Sequence, residues 1–234
     1  MKHHKPLGHK AYGSIPHLPG SRQGREDKGL SAGQAKFCLT ELPDRHYRVI
    51  IQEKMDGACV SVARHDGRLI TLGRAGYEAS TSPYPFIQMF DVYVKKWKKR
   101  FTFLQEGERL VGEWLALAHG TLYEDLKDPF VAFDLMTEHR RATFGEFLYR
   151  LPAAIQIPVT LPTRCPMGLE DAIIHTRSFW RVYKADRMEG LVYRVEKNDE
   201  VLFLGKYVRP LKKDGCYLAD ISGGEDIWNW GGKK

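Results

Sequence analysis

The stretch from Tyr47 to Arg64, Tyr-Arg-Val-Ile-Ile-Gln-Glu-Lys-Met-Asp-Gly-Ala-Cys-Val-Ser-Val-Ala-Arg, is the part of the sequence that most constrains the fold. Two runs rich in β-branched residues, Tyr47–Gln52 and Cys59–Arg64, flank the segment Glu53-Lys54-Met55-Asp56-Gly57. Such alternating runs on either side of a turn predict two antiparallel strands. A lysine at this junction can project into a cleft, and the glycine lets backbone pass close to a ligand.

The rest of the chain continues the pattern of short strands with few helices. Helices are predicted over Tyr84–Leu104 and Gly168–Tyr183. Further strands are predicted over Arg68–Gly73, Arg109–Leu117, Pro129–Met136, and a final hairpin of Leu191–Glu196 with Val201–Val208. Together they predict one α+β domain of antiparallel sheets flanked by helices over residues 37–234, after a basic N-terminal extension, residues 1–36, that packs on or flanks it. The tryptophans of Ile227–Lys234 are expected to dock on the domain surface.

The charge and hydropathy of the chain favour some classes of protein and exclude others. The 234 residues contain 36 Lys and Arg against 29 Asp and Glu, so the net charge of +7 favours a polyanionic partner such as nucleic acid. No apolar run approaches the roughly 18 residues of a membrane span, and no secretory signal begins the chain, so a cytoplasmic location is expected. The basic run Lys95–Arg100 fits either phosphate contacts or a solvated helix face.

Lys54 is the candidate nucleophile. An amine reacts as a nucleophile only when deprotonated, so its pKa is expected to be lowered by burial or by neighbouring cations. Taken alone, Lys54-Met-Asp-Gly57 is also typical of an exposed turn. Five further blocks follow it in order: Leu72-Gly-Arg74-Ala-Gly76, Val111-Gly-Glu113-Trp114, Phe130-Val-Ala-Phe133-Asp134, Met188-Glu189-Gly-Leu-Val-Tyr-Arg194 and Phe203-Leu-Gly-Lys206-Tyr-Val-Arg209-Pro-Leu-Lys212.

In these six blocks the chain resembles the covalent lysyl-nucleotidyltransferases, which include RNA ligases, DNA ligases and mRNA capping enzymes. The resemblance covers about residues 47–213 and is closest to the ATP-dependent RNA ligases, in a bacterial and phage branch. It implies an α+β nucleotidyltransferase (ATP-grasp-like) domain with a nucleotide cleft between antiparallel sheets. It also implies sealing of RNA 5′-phosphate and 3′-hydroxyl ends through a lysyl-AMP and an RNA-adenylate. A minimal DNA nick ligase and a non-catalytic nucleic-acid-binding relative remain the alternatives.

The same resemblance assigns roles to single residues. It implies that Lys54 attacks the α-phosphorus of ATP, that Arg74 contacts the ribose or the acceptor phosphate, and that Lys206 neutralises the α-phosphate. Phe133 would stack on adenine. Glu189 and Glu113 would hold Mg²⁺ or Mn²⁺, with the ribose as an alternative partner of Glu113. The remaining positions implied to bind the nucleotide are Glu53, Asp56, Gly57, Arg194 and Arg209.

Two positions depart from the family pattern. Arg194 stands where a lysine is common, which keeps the charge but changes its geometry. The fifth block commonly reads Lys-x-Lys, and here the second lysine is missing, so Arg209 or Lys212 is the candidate substitute. Only residues 213–234 follow this block, so no C-terminal OB domain is expected.

Overall fold

The structure is a computed structural model that describes residues 4–177 and 188–231. Within these ranges the chain forms eight strands and five helices. The helices are α1 (Ala32–Leu39), α2 (Pro85–Lys96), α3 (Phe144–Arg150), α4 (Leu169–Arg177) and α5 (Ala219–Ser222). The strands are β1 (Tyr47–Lys54), β2 (Ala58–His65), β3 (Arg68–Gly73), β4 (Glu108–Trp114), β5 (Phe130–Thr137), β6 (Arg140–Arg141), β7 (Gly190–Lys197) and β8 (Glu200–Val208).

Two antiparallel sheets frame the molecule. One has the strand order β1-β7-β8, and the other has the order β3-β2-β4-β5-β6. Their registers place chemistry-bearing residues side by side: Lys54 lies opposite Gly190, and Cys59 lies opposite Glu113. The expected α+β class with antiparallel sheets and flanking helices is therefore confirmed.

Alternation along the strands gives each sheet one apolar face and one face toward the space between the sheets. The apolar face of the three-stranded sheet packs on α1 and α4 through residues that include Val49, Ile51, Leu191, Tyr193, Ala35, Cys38 and Ala172. The apolar face of the five-stranded sheet packs on α2 through residues that include Val60, Val62, Leu110, Trp114, Ile87, Phe90 and Val94. The polar residues at alternate positions are thereby directed toward the other face.

The helix predicted over Tyr84–Leu104 is wrong beyond Lys96. Helix α2 begins with Pro85 in its first turn, where a missing N–H costs nothing, and a short 3₁₀ helix over Lys98–Phe101 follows it. This change of path lets Arg100 donate hydrogen bonds to the Tyr93 hydroxyl, the Asp128 carboxylate and the Ala154 carbonyl. For the helix predicted over Gly168–Tyr183, α4 confirms the first part, and positions 178–183 lie outside the described residues.

The N-terminal segment runs along the edge of β8. The N–H of Lys206 donates to the Pro16 carbonyl over 2.9 Å, and the N–H of Leu18 donates to the Lys206 carbonyl over 2.8 Å. Leu18 is fully buried in the core beneath the three-stranded sheet. The expected boundary at residue 36 falls inside α1, which a Ser31–Gln34 capping box begins.

The C-terminal segment packs against the core of the five-stranded sheet. Trp228 pairs with Leu117 in an isolated bridge, and the Trp230 ring lies 6.1 Å from the rings of both Tyr93 and Trp114. These two tryptophans therefore extend the core, as well as covering the domain surface as expected. In the described part of the chain, no helix combines the length and the apolar character needed to cross a bilayer.

Candidate active site

A cavity of about 250 Å³ lies between the two sheets, and we call it the central cavity. Both sheets, the N-terminal segment and the connecting loops contribute to its wall. The lining residues are Tyr12, Gly13, Ile15, Gln52, Glu53, Lys54, Met55, Gly57, Cys59, Arg74, Glu113, Phe133, Pro158, Val192, Arg194, Leu204 and Lys206. Eight of the predicted site residues, Glu53, Lys54, Gly57, Arg74, Glu113, Phe133, Arg194 and Lys206, are thus brought to one cavity.

Lys54 ends strand β1, and its amine is held by a carboxylate. Its Nζ atom lies 2.5 Å from Oε2 of Glu189. Burial disfavours the charged amine, but the negative charges of Glu189, Glu113 and Asp56 outweigh it, so the pKa of Lys54 is raised above its ordinary value. The expected lowering of this pKa by neighbouring cations is therefore wrong for the described residues, because the negative charges of these carboxylates decide the direction of the shift.

Glu113 faces Lys54 from the other sheet. Its Oε1 atom accepts a hydrogen bond from the Gly57 N–H over 3.3 Å. Burial raises the pKa of Glu113 to about 7, and the charge of Lys54 opposes that shift. A glycine is required at position 57, because a Cβ there would lie 2.4 Å from the Trp114 carbonyl oxygen. Gly57 thus lets the start of β2 lie close to the backbone of β4 at Trp114.

Lys212 joins Glu189 to Asp56. Its Nζ atom lies 2.7 Å from Oδ1 of Asp56 and 3.0 Å from Oε1 of Glu189, and the side chain is buried. The other oxygen of Asp56 accepts from the Gly120 N–H over 3.0 Å. Asp56 does not line the central cavity, so its contacts hold Lys212 and the Gly120 loop in place.

Phe133 reaches the cavity through a β-bulge. The register of β4 and β5 passes from Val111 opposite Asp134 to Gly112 opposite Ala132, which leaves Phe133 as the extra residue. A bulge re-aims a side chain, and here the Phe133 ring lines the cavity with its neighbour Tyr12 at 5.4 Å in an edge contact. The sequence pattern predicts the strand but contains no sign of this bulge.

Arg194 connects the two sheets behind Phe133. Its guanidinium donates to Asp134 Oδ1 over 2.9 Å and to the Phe133 and Ala142 carbonyls. Asp134 also accepts from Arg141 and from the Tyr12 hydroxyl. Two arginines and a phenol therefore compensate a fully buried carboxylate. Arg194 lines the cavity, and its charge is already engaged by Asp134.

Arg74 and Lys206 bring positive charge to the cavity from two directions. Arg74 follows β3, and its Nη2 atom donates to the Ser14 hydroxyl over 3.1 Å and to the Gly13 carbonyl over 3.4 Å. Lys206 lies in β8 and is half-buried; burial lowers the pKa of its amine, and the Asp27 carboxylate opposes part of this shift. Both cations suit contact with phosphate oxygens.

Glu53 and Arg209 occupy different surroundings. Glu53 is buried, its Oε2 atom has no hydrogen-bond partner among the described residues, and burial raises its pKa to about 7. Arg209 is not among the residues that line the cavity, and its Nε atom donates to the Met188 carbonyl next to Glu189. Arg209 therefore contacts the backbone that carries Glu189.

Three contributors lie outside the residues that the sequence pattern singles out. Tyr12, from the N-terminal segment, and Gln52, two positions before Lys54 in β1, line the central cavity. Tyr123 supports the site from outside the cavity: its hydroxyl accepts a hydrogen bond from the Asp56 N–H over 3.0 Å. Alternation along β1 places Gln52 on the same face as Lys54, and this signal could have identified it. Tyr12 and Tyr123 are far from the motifs in sequence, so only the tertiary structure reveals them.

Two carboxylates near the Lys54 amine fit a hydrated divalent cation. Glu113 lines the central cavity, whereas Glu189 is not among its lining residues but contacts the Lys54 amine. Both offer the oxygen ligands that Mg²⁺ and Mn²⁺ prefer. Burial at Glu113 raises the pKa of its carboxyl to about 7, and a cation beside it would compensate the ionised form. Two carboxylates suffice where the cation retains several of its waters.

A cavity between two antiparallel sheets, with a lysine amine, two further cations and paired carboxylates, defines the class as phosphate-handling proteins. The chain belongs to the RNA ligase family, because the sequence model of that family, described as RNA ligase, matches residues 47–208. The comparison with curated proteins gives no match.

Solved structures of Naegleria gruberi RNA ligase share the fold. A mutant with ATP and Mn has a TM-score of 0.51 and 15% identity, covering 85% of this chain and 60% of that one. A mutant with AMP and Mn has a TM-score of 0.50 and 14% identity, with coverage of 86% and 61%. A structure with PPi has a TM-score of 0.50 and 14% identity, with coverage of 82% and 58%. The chain thus spans about three fifths of the length of those ligases.

Proposed function

We propose that the chain is an ATP-dependent RNA ligase that seals 5′-phosphate and 3′-hydroxyl ends through a lysyl-AMP and an RNA-adenylate. Membership of the RNA ligase family supports the class of reaction. The observation that carries the proposal is the position of Lys54, whose amine lies in the central cavity at 2.5 Å from Glu189.

The first step would use Lys54 as the nucleophile. Its Nζ lone pair forms a bond to the α-phosphorus of ATP, the bond to the β-phosphate oxygen breaks, and pyrophosphate leaves. The amine must lose a proton for this step, and Oε2 of Glu189 is the nearest acceptor. Lys206 would balance the charge that develops on the α-phosphate, since both line the same cavity.

Mg²⁺ or Mn²⁺ would be held by Glu189 and Glu113. The positive charge of a bound cation favours the uncharged form of a neighbouring amine and stabilises charge on phosphate oxygens. Glu189 and Glu113 are also the groups that raise the pKa of Lys54. Binding of a cation to these two carboxylates would therefore reduce the extent to which they raise the pKa of Lys54.

The adenine would lie against the Phe133 ring, which the bulge directs into the cavity. Glu53 offers a buried carboxyl without a hydrogen-bond partner among the described residues, which suits an exocyclic amino group. Gly57 and Arg194 would act by shaping this pocket, since each contacts a residue of the cavity wall. Asp56 and Arg209 would act through Glu189, because Asp56 binds Lys212, which also contacts Glu189, and Arg209 donates to the Met188 carbonyl next to Glu189.

Covalent labelling tests the first step. The protein is incubated with ATP labelled at the α-phosphate, with Mg²⁺ or Mn²⁺, then denatured and examined for bound label. We expect an acid-labile AMP adduct that is absent from Lys54→Ala. Lys36→Ala is the matched control, because the Lys36 amine is also 2.5 Å from a glutamate but lies at an exposed position of α1. Label retained by Lys54→Ala would contradict the proposal, and labelling by GTP alone would indicate capping-type chemistry.

Nick sealing tests the polynucleotide. We expect the protein to seal a nick with an RNA 3′-hydroxyl and a 5′-phosphate and to release AMP. Sealing of an all-DNA nick with no sealing of RNA would identify the chain as a minimal DNA nick ligase. Before labelling, pyrophosphate treatment removes any AMP that the protein already carries. If the treated protein binds polynucleotide but forms no adduct, it is a non-catalytic nucleic-acid-binding relative.

A further inference from the structure

A second cavity adjoins the central cavity beyond Arg74, and we call it the groove. It measures about 470 Å³ and is walled by the loop after β3 and the start of α2, including Ala75, Tyr77, Tyr84 and Ile87. Arg74 and Cys59 line both the groove and the central cavity, so the two spaces share a wall. None of the six sequence blocks covers the residues that close the groove, except for the block around Arg74.

The groove presents aromatic surface to solvent. Tyr84 is 59% exposed and Tyr77 is 39% exposed, so both rings are accessible to a ligand. Hydrogen bonds fix the backbone that carries them: the Gly73 N–H donates to the Tyr77 carbonyl, and the Gln88 side chain donates to the Ser82 carbonyl over 2.7 Å. A preformed wall with an exposed ring suits a flat ligand that stacks.

Charge at the groove favours a phosphate-bearing ligand. The side-chain hydrogen bonds of Arg74 to described residues are both made by Nη2, so Nε and Nη1 have N–H groups left to donate. The Lys5 amine lies 5.0 Å from the Tyr77 ring and adds a second cation. Glu78 is the one acidic residue among those that line the groove, so positive charge prevails at the end shared with the central cavity.

We propose that the groove binds the terminal nucleoside that carries the 5′-phosphate of the polynucleotide, with its base on Tyr84 and its phosphate on Arg74. This inference rests on the proposed ligase function. In that reaction an oxygen of the 5′-phosphate bonds to the α-phosphorus of lysyl-AMP, the bond from phosphorus to Lys54 Nζ breaks, and the amine takes up a proton. The phosphate must therefore enter the central cavity while its nucleoside stays outside, and Arg74 lies at the boundary.

Binding of short RNA, measured by fluorescence anisotropy without ATP, tests the groove. The probes are one oligonucleotide with a 5′-phosphate and the same oligonucleotide with a 5′-hydroxyl. We expect wild type to prefer the 5′-phosphate by about tenfold, the value of a charge-assisted hydrogen bond. Tyr84→Ala should bind the phosphorylated probe about tenfold more weakly, while Tyr84→Phe keeps the ring and the affinity. Tyr149→Ala, at a 90% exposed position on α3, should bind as wild type does.

Probes that lack one terminal base identify the end. Removal of the 5′-terminal base from the probe should weaken its binding to wild type about as much as Tyr84→Ala weakens binding of the intact probe. The same removal should not weaken binding to Tyr84→Ala any further. Coupling of Tyr84 to the 3′-terminal base instead would overturn the proposal. Equal binding by Tyr84→Ala and wild type would also overturn it and would leave the groove to another occupant, such as an apolar protein segment.

A charge variant makes the test independent of Tyr84, which precedes α2. Ala75→Glu places a carboxylate at an exposed position of the groove next to Arg74, and Ala75→Gln has the same size without the charge. We expect the preference for the 5′-phosphate to vanish in Ala75→Glu only. Thermal unfolding establishes that each variant is folded. If the protein forms no lysyl-AMP but binds the probe in a manner that depends on Tyr84, the proposed ligase function is refuted and the proposed binding site in the groove is retained. If the protein is labelled by ATP but Tyr84→Ala has no effect on binding, only the proposed binding site in the groove is refuted.

Discussion

Glu53 and Lys54 are neighbours in β1 and both line the central cavity, yet their charged groups have different partners. The Lys54 amine is paired with Glu189, whereas one oxygen of Glu53 is buried with no hydrogen-bond partner in the described ranges 4–177 and 188–231. Burial consequently raises the pKa of Glu53 to about 7.

The raised pKa of Glu53 predicts a specific dependence of stability on pH. Between about pH 4.5 and 7 the unfolded chain loses this proton while the folded protein keeps it, so the free energy of unfolding falls as pH rises. Glu53→Gln removes this effect. We expect it to raise the free energy of unfolding by about 3 kcal/mol at pH 8 and by less than about 0.5 kcal/mol at pH 4.5.

Urea denaturation at the two pH values measures this difference. Glu200→Gln, which changes an exposed carboxyl in β8, is the control and should show no such dependence. An equal effect of Glu53→Gln at both pH values would show that the carboxyl is ionised in the folded protein.

Lys212 is the residue on which two buried carboxylates depend. Its amine contacts both Asp56 and Glu189, and removal of one partner from a buried ion pair leaves an uncompensated charge. We expect Lys212→Met to lower the free energy of unfolding by about 3 kcal/mol, and Lys213→Met, at an exposed position, to lower it by less than about 0.5 kcal/mol.

Combination with Asp56→Asn distinguishes this role from simple packing. Because Asp56→Asn removes one of the charges that Lys212 compensates, the double variant should lose less stability than the two single variants added together. Strict additivity, measured by denaturant unfolding at pH 7, would mean that the pair is not coupled.

Among the elements, the end of α2 divides the basic run Lys95–Arg100 into two kinds of residue. Arg100 is partly buried and bound to Asp128 and Tyr93, so it stabilises the fold. Lys95 pairs with Asp91 one turn earlier in the helix. Lys96, at the end of α2, and Lys98 and Lys99, in the 3₁₀ helix, are exposed, so they are positioned to contact a phosphate backbone.

Charge reversal at Lys99 tests the contact with RNA. Each phosphate contact contributes about 0.7 to 0.9 to the slope of log affinity against log salt concentration. If Lys99 makes one such contact, Lys99→Glu should weaken RNA binding and reduce the slope by about that amount. Arg68→Glu, an equal reversal at an exposed position of β3, should leave the slope nearer to the wild-type value. Unchanged slopes in Lys99→Glu would assign the run to a solvated surface.

At the scale of the whole molecule, the N-terminal segment is what joins β8 to the five-stranded sheet. Residues 16–18 hydrogen-bond to Lys206 on one side. Earlier in the segment, the Tyr12 N–H donates to the Arg74 carbonyl, and the Tyr12 hydroxyl donates to Asp134. This segment lies outside the part of the chain that matches the family, residues 47–208.

Leu18→Ala tests whether the segment belongs to the folded core. Leu18 is fully buried, so the lost burial and the remaining cavity should lower the free energy of unfolding by about 3 kcal/mol. Leu211→Ala, at a position that is 89% exposed, is the control and should change it by less than about 0.5 kcal/mol. A similarly small effect of Leu18→Ala in thermal or urea unfolding would show that the segment is a tail that folds independently of the domain.

The sequence by itself determined seven of the eight described strands in outline, the α+β class and eight of the residues that line the central cavity. Alternation and turn residues are local signals, so β1, β2, β7 and β8 could be read from them. The end of α2 could not, because contacts of Arg100 with distant residues decide it.

Only the tertiary structure decided the electrostatics of the site. The raised pKa of Lys54, the ion pairs of Lys212, the bulge at Phe133 and the contribution of Tyr12 all join residues that are far apart in the chain. A pKa depends on burial and on distances between charges, and a bulge depends on the register of two strands. The residues of a single strand specify neither these distances nor the register with a neighbouring strand, so both depend on tertiary packing.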